Sequence, residues 1–397
     1  MVSSEYLPGD LVIQIIICLP VKSLLRFKSV CKSWRSLIES SRFVTQHCHY
    51  HQKMDSEKII VKHPYVRIDE LGRCNLDFSI VSADNFEASA RIGVCCVLRN
   101  MSSEWISKAP YFNEVLSCCN GVICQQICFG YERHVWLWNP ATKQIRILPE
   151  SPISLLRRRE VTVYVGLVFD VKTDDYKVVK FNFENISYVT KKCRVEIYSL
   201  STDSWRPIDV DLPISYIASD PKIPYRDEIY CWLGGLDDPC LIVSFDIHNE
   251  VFQTMSVPDL GQTNPSATLE LAILKGKIAC ICWSYSWEIE ETENCGFNIW
   301  VLNEYMVKDS WTQLYTIRLG SQYCFWTSSI GFSQNGIFIL HHKQCVCDDN
   351  THKLCFWDLA TAEIKYLPFE LPQIDLEGVQ YKESLVSINS TNVAFVS

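Results

Sequence analysis

The chain is poor in glycine and methionine, has no long apolar run, and carries no excess of positive charge. Fifteen glycines and sixteen prolines in 397 residues exclude collagenous and low-complexity architectures. Five methionines argue against a pliable, Met-lined groove. No apolar stretch reaches the roughly 18–20 residues that a membrane helix needs, so no membrane span is expected. Nor do the first residues resemble a secretory leader. Glu5 and Asp10 stand where a positive segment belongs, and the apolar run from 11 to 19 stops at Pro20 and Lys22. Twenty cysteines, about 5% of the chain, are too sparse for a small disulfide scaffold. The expectation is a cytoplasmic protein with reduced thiols, with the nucleus as an additional compartment. A net charge of −9 makes nucleic acid a poor partner. No G-x-S-x-G, H-E-x-x-H, Walker or G-x-G-x-x-G pattern occurs, so neither catalytic residues nor a cofactor are expected.

What is present is an aromatic-rich globular chain, with 48% hydrophobic residues and 12 Trp, 18 Tyr and 18 Phe. Its charge is unevenly spread. Residues 1–50 hold six basic and three acidic side chains, leaving 31 basic and 43 acidic in the rest. A small basic head and a large acidic body suggest two modules.

The spacing predicts three short helices in residues 6–40. Leu11, Val12, Ile15, Ile16 and Leu19 form one stripe, while Ile13 and Ile17 make the opposite side apolar too. Pro20 ends this helix by removing a donor. Leu24, Leu25 and Phe27 belong to a second helix, and Trp34, Leu37 and Ile38 to a third. About 40 residues cannot enclose a helix that is apolar on nearly every side. Either the rest of the chain covers it, or it docks another protein.

The runs Leu7-Pro8-Gly9-Asp10-Leu11, Leu19-Pro20-Val21-Lys22-Ser23-Leu24-Leu25-Arg26-Phe27 and Val30-Cys31-Lys32-Ser33-Trp34 resemble the F-box of plant F-box proteins. The resemblance implies binding to a Skp1-like adaptor and, through it, to the cullin and RING subunits of an SCF ubiquitin ligase. Carried over by motif position, the adaptor-facing residues are Leu7, Pro8, Leu11, Ile15, Leu19, Pro20 and Leu24, with Phe27 and Trp34 holding the helices together. Gly9 and Cys18 depart from the family's usual residues, and neither departure removes an anchor.

From about residue 90 onward, short apolar runs broken by turn residues predict an all-β body. One unit recurs: an apolar strand ending in an aromatic or Asp/Asn, a short turn, then a strand closing with Trp or Leu-Pro. Taking Asn139, Leu200, Asp246, Asn303 and Asp358 as markers, the steps are 61, 46, 57 and 55 residues. A loose period near 50 is kelch-like and predicts a β-propeller of about six blades. A β-sandwich with long insertions is the alternative. The terminal strand 383–389 is expected to complete a blade with an early strand of the body. The fold class expected is therefore α+β and multi-domain, divided into a helical head (1–48), a linker with the first β strands (49–110) and a β domain (111–397).

The motifs Cys119-Asn120-Gly121, Trp138-Asn139-Pro140-Ala141-Thr142, Val168-Phe169-Asp170 and Val195-Glu196-Ile197-Tyr198-Ser199-Leu200 resemble the F-box-associated domain. Ser41-Arg42-Phe43-Val44-Thr45-Gln46-His47 and residues 381–389 look closest to the S-locus F-box branch of pollen self-incompatibility. That resemblance implies S-RNases, a basic protein class, as substrates. Two charged clusters are candidate substrate contacts: Arg157, Arg158 and Arg159, and Glu288, Glu290, Glu291 and Glu293. His341, His342, Cys345, Cys347, His352 and Cys355 can ligate metal, but their spacing fits no usual zinc pattern, so no metal is expected. The rival functions are nucleic-acid binding through the basic helices and a propeller-borne enzyme.

Overall fold

The computed structural model describes residues 9–54, 58–68, 73–82, 88–97, 116–129, 132–153, 161–185, 191–217, 223–225, 229–235, 240–260, 268–284, 296–318, 327–333, 335–346, 349–366 and 378–388. Four helices come first: α1 (Gly9–Ile17), α2 (Val21–Phe27), α3 (Lys32–Glu39) and α4 (Ser41–Met54). The fourth is one more than the apolar spacing predicts. Six antiparallel sheets follow, each a blade of four strands apart from the fourth, which carries a split first strand. Such radial repetition leaves only short, protected strand edges. The fold is a helical head on a six-bladed propeller, and the sandwich alternative falls away.

The ring closes through the C-terminus. Strand Gly378–Tyr381 pairs with Lys58–Ile68 and forms the innermost strand of blade 1, whose other strands are Arg73–Ser82 and Ala88–Val97. The closing strand thus lies a few residues before the expected 383–389, and its partner precedes residue 90. Helix α4 runs past 48, and the strands of the 49–110 segment belong to the propeller; the division at 110 lies outside the described residues.

Apolar clusters fill the spaces between neighbouring sheets, as in Val165, Leu167, Val178 and Tyr198 between blades 2 and 3. Polar links span the same spaces. The Leu167 amide donates to Ser117 Oγ (3.1 Å). Tyr230 accepts from the Phe169 amide (2.8 Å) and donates to the Phe169 carbonyl (3.1 Å). Tyr305 donates to Ser244 Oγ (2.8 Å), and the Ser329 amide to Glu270 (3.1 Å). Each link satisfies a group that burial would otherwise leave costly.

The repeat markers Asn139, Leu200, Asp246, Asn303 and Asp358 all lie where the third strand of a blade turns into the fourth. At Asn139, Asp246 and Asp358 the Asx side chain makes the turn. Asp246 Oδ1 accepts the amides of His248 (3.0 Å) and Asn249 (2.9 Å), and Asp358 Oδ1 those of Ala360 (2.8 Å) and Thr361 (3.3 Å). Such local side-chain bonds are what Asp and Asn offer a turn. Gly121 is required for a different reason. Its φ is +75°, and a Cβ there would collide with the Lys382 carbonyl.

These turns carry a pH dependence. For Asp246, burial works to raise the carboxyl, but bonds from Asn249 and His248 outweigh it and hold it below the ordinary range. The amides of Ala360 and Thr361 do the same for Asp358. For Asp170, burial is again opposed and outweighed, here by bonds from Lys177 and Thr173. A carboxylate depressed in the folded state adds stability that is complete above its unfolded value. That stability is lost as pH falls through the folded one. The unfolding midpoint is therefore expected to drop as pH falls below about 4. The pair Asp246→Asn and Asp358→Asn keeps the turn acceptor, as Asn139 does, and is expected to flatten the drop. Thermal denaturation of both proteins from neutral to acidic pH measures the difference.

Candidate protein-interaction surfaces

Helix α1 divides into two faces. Ile16 is buried at 2% exposure, with Val12, Ile13, Ile17 and Leu19 half-buried beside it. Gln14 and Cys18 are exposed, as are Leu11 at 44% and Ile15 at 55%. These four recur at i, i+3, i+4 and i+7, which places them on one face. The head therefore covers most of its apolar helix itself and leaves a narrow apolar stripe outside.

The predicted contact residues separate accordingly. Leu11 and Ile15 point outward, Pro20 is exposed and Leu19 half-buried. Leu24 departs from the expectation: at 0% exposure it packs among Val21, Ile38 and Phe43 inside the head and offers no outward contact. Leu24 stands on α2, where Val21 and Leu24 turn inward while Lys22 and Arg26 stay exposed, so its place in the motif coincides with the buried side of an amphipathic helix. Leu7 and Pro8 lie outside the described residues. Phe27 and Trp34 meet edge to face with ring centroids 5.2 Å apart, joining α2 to α3 as expected.

The head sits on the propeller face that carries the turns between first and second and between third and fourth strands. Leu385 and Ala141 join the head's core cluster. Leu385 is held between two bonds from blade 2: Asn139 Nδ2 donates to the carbonyls of Ser384 (3.1 Å) and Val386 (2.8 Å). A cleft of about 790 Å3 lies alongside, lined on the head by Val44, Cys48 and His51 and on the propeller by Asn120, Tyr176 and Ser201. Burial pushes the Cys48 thiol up to about 11, with Lys382 opposing. A thiol raised in this way carries little thiolate at neutral pH.

The described strand ends that lead into the remaining connections, between second and third strands and from one blade to the next, lie at the opposite face. The two charged clusters belong to such connections. Arg157, Arg158 and Arg159 stand between strands Gln144–Ile147 and Val161–Asp170, and Glu288, Glu290, Glu291 and Glu293 between Lys277–Ser284 and Gly296–Leu302. All seven lie outside the described residues. The described start of the arginine connection is held by a buried network. The Ile153 amide donates to Glu196 (3.2 Å), Lys180 Nζ donates to Ser151 Oγ (2.6 Å), and Lys180 lies 3.7 Å from Glu196. Among the described residues no three metal-capable side chains converge, and no helix is long and apolar enough to cross a membrane.

Two features escape reasoning on apolar spacing alone. Asn139 serves there as a strand-end marker, yet it also fastens the C-terminal segment. His47 and His51 on α4 reach the end of α1, and their only trace in the sequence is a spacing of four.

Comparison with known proteins agrees with this architecture. Residues 5–46 match the F-box domain, and residues 76–392 match the F-box associated beta propeller domain. The chain belongs to the family of F-box proteins with an associated β-propeller. Its relatives include Arabidopsis thaliana proteins. It is 26% identical to F-box/kelch-repeat protein At3g23880 over 333 residues, covering 80% of this chain and 81% of that protein. It is 24% identical to F-box protein CPR1 over 388 residues, covering 91% and 84%.

Proposed function

We infer that the chain is a non-catalytic substrate-recognition subunit of an SCF-type E3 ubiquitin ligase. The head binds a Skp1-like adaptor, which brings the cullin and RING subunits. The propeller binds a target protein for ubiquitination and proteasomal degradation. The observation that carries this reading is the exposed pair Leu11 and Ile15, on a helix whose remaining apolar residues are buried or half-buried, within an F-box sequence. An apolar stripe left in water by an otherwise packed module supports a docking role. The chemistry asked of the subunit is proximity: a tethered target meets the ligase's ubiquitin donor at a raised effective concentration.

The target surface proposed is the propeller face opposite the head, where the connections bearing Arg157–159 and Glu288–293 emerge. Binding there leaves the adaptor side free. The finer proposal is that the targets are S-RNases. Residues 51–397 carry 31 basic and 43 acidic side chains, and such a body attracts a basic protein by long-range steering.

Capture by the full chain tests both levels. With purified adaptor and cullin, a stable complex is the expected result, and failure to bind the adaptor removes the ligase reading. From pistil extract with the proteasome blocked, S-RNases are expected in the captured set. Their absence, with adaptor and cullin present, removes the S-RNase proposal and leaves the receptor role standing.

A further inference from the structure

Helix α1 ends short of donors. The last four carbonyls of any helix lack an intrahelical amide, and Pro20 has no N–H to supply one. The Leu19 amide turns back to the Ile16 carbonyl at 3.1 Å. The carbonyls of Ile17 and Leu19 are met from helix α4. His51 Nε2–H donates to Ile17 (3.0 Å) and His47 Nε2–H to Leu19 (2.9 Å). A carbonyl can only accept, so each ring carries its hydrogen on Nε2 here. His47 is 1% exposed and His51 5%. Four residues apart, they share one face of α4 with ring centroids 4.1 Å from each other. Phe43, one turn earlier, continues this stripe into the core that holds Leu24 and Ile38.

We propose that His47 and His51 form a clamp that fixes the pose of α1 for adaptor docking, and are thus positioning residues for that interaction. The proposal rests on the adaptor-binding reading. Helix α1 has nine residues, fewer than an isolated helix needs to persist in water. Its inner face is apolar, and apolar burial is non-directional. Burial alone lets a short helix roll or slide by a residue. One residue of roll is about 100°, enough to turn Ile15 off the docking face. Hydrogen bonds are directional, and two of them at the helix end set both rotation and axial position. The clamp therefore presents Leu11 and Ile15 already oriented, which lowers the ordering cost of docking.

The test uses the full chain and purified Skp1-like adaptor in titration calorimetry. The double variant His47→Ala, His51→Ala is expected to bind roughly tenfold to a hundredfold more weakly, the loss of donors to two partly buried carbonyls. The propeller's unfolding transition is expected to stay in place. The glutamine variants His47→Gln and His51→Gln offer an amide N–H near the Nε2 position and are expected to recover most of the affinity. Glutamine variants as weak as alanine would show that the rings act through packing alone, which overturns the clamp. Unchanged binding by the double-alanine variant overturns the clamp and leaves the adaptor reading intact. No binding by the unaltered chain overturns both.

Discussion

Replacing Leu11 with aspartate and Ile15 with lysine is expected to remove adaptor binding while leaving the fold in place. Both side chains are about half exposed in the free chain, Leu11 at 44% and Ile15 at 55%. Neither contributes much to the head's core, and exposed substitutions usually shift stability by less than about 0.5 kcal/mol. The charges are also chosen to suit the helix: aspartate near its start and lysine near its end complement the backbone dipole. In a docked complex the balance reverses. Burying a leucine and an isoleucine contributes about 1.5–3 kcal/mol each. The replacements forfeit that and strand two charges in an apolar contact. A loss of more than about 100-fold in affinity is the expected outcome, equivalent to roughly 3 kcal/mol or more. Leu314→Asp, on the outer strand Trp311–Arg318 of blade 5, is the matched control, since Leu314 is 48% exposed. Titration of each variant with the adaptor, beside thermal unfolding, decides the matter. Wild-type affinity in the double variant would place the docking surface elsewhere on the head.

Asn139→Ala is expected to be the most destabilising single change among the turn residues. The side chain is fully buried and makes four hydrogen bonds. Its Oδ1 accepts the amides of Ala141 (3.0 Å) and Thr142 (3.3 Å), closing the turn after strand Glu132–Asn139. Its Nδ2 holds the carbonyls of Ser384 and Val386 on either side of Leu385. Leu385 in turn packs with Leu24, Ile38 and Phe43 of the head. One amide group thus ties blade 2, the ring-closing segment and the head together. Alanine leaves buried donors and acceptors unpaired, each costing about 1–3 kcal/mol, and a total of about 3–5 kcal/mol is expected because neighbouring losses do not add fully. Asn139→Asp keeps the acceptor side but sets a carboxylate against two carbonyls, so it is expected to recover little. Asp246→Ala, at the equivalent but more exposed turn of blade 4, is expected to cost nearer 1 kcal/mol. Urea unfolding followed by tryptophan fluorescence ranks the three. A loss below about 1 kcal/mol for Asn139→Ala would show that the segment 383–388 is held by other contacts.

Much of this arrangement is visible in the linear chain because the signals are local. Pro20 stops a helix wherever the chain goes next. An Asp or Asn at a strand end makes its own turn from its own side chain, so the markers at Asn139, Asp246 and Asp358 fall on the corresponding turns of blades 2, 4 and 6. Helix α4 is harder to see. Apart from Phe43 and Val44 its inner stripe is carried by His47 and His51. Histidines spaced by four do not register as an apolar face. The outward and inward sides of α1 are equally greasy in sequence. That Leu11 and Ile15 are the ones left outside is therefore not legible there, while Leu24, carried over by motif position, lies on the inner side of α2 and is core.

What the sequence determines by itself is the list of parts: an F-box head, strands punctuated by Asx turns at a loose period, and two charged clusters placed in connections between strands. Tertiary structure alone decides how they join. Gly378–Tyr381 pairs with Lys58–Ile68 across more than 300 residues, and the residues after it become the seat on which the head rests. The physical reason is that every strand edge offers the same amides and carbonyls. Which edges meet is decided only when the blades have packed and one place in the ring remains open.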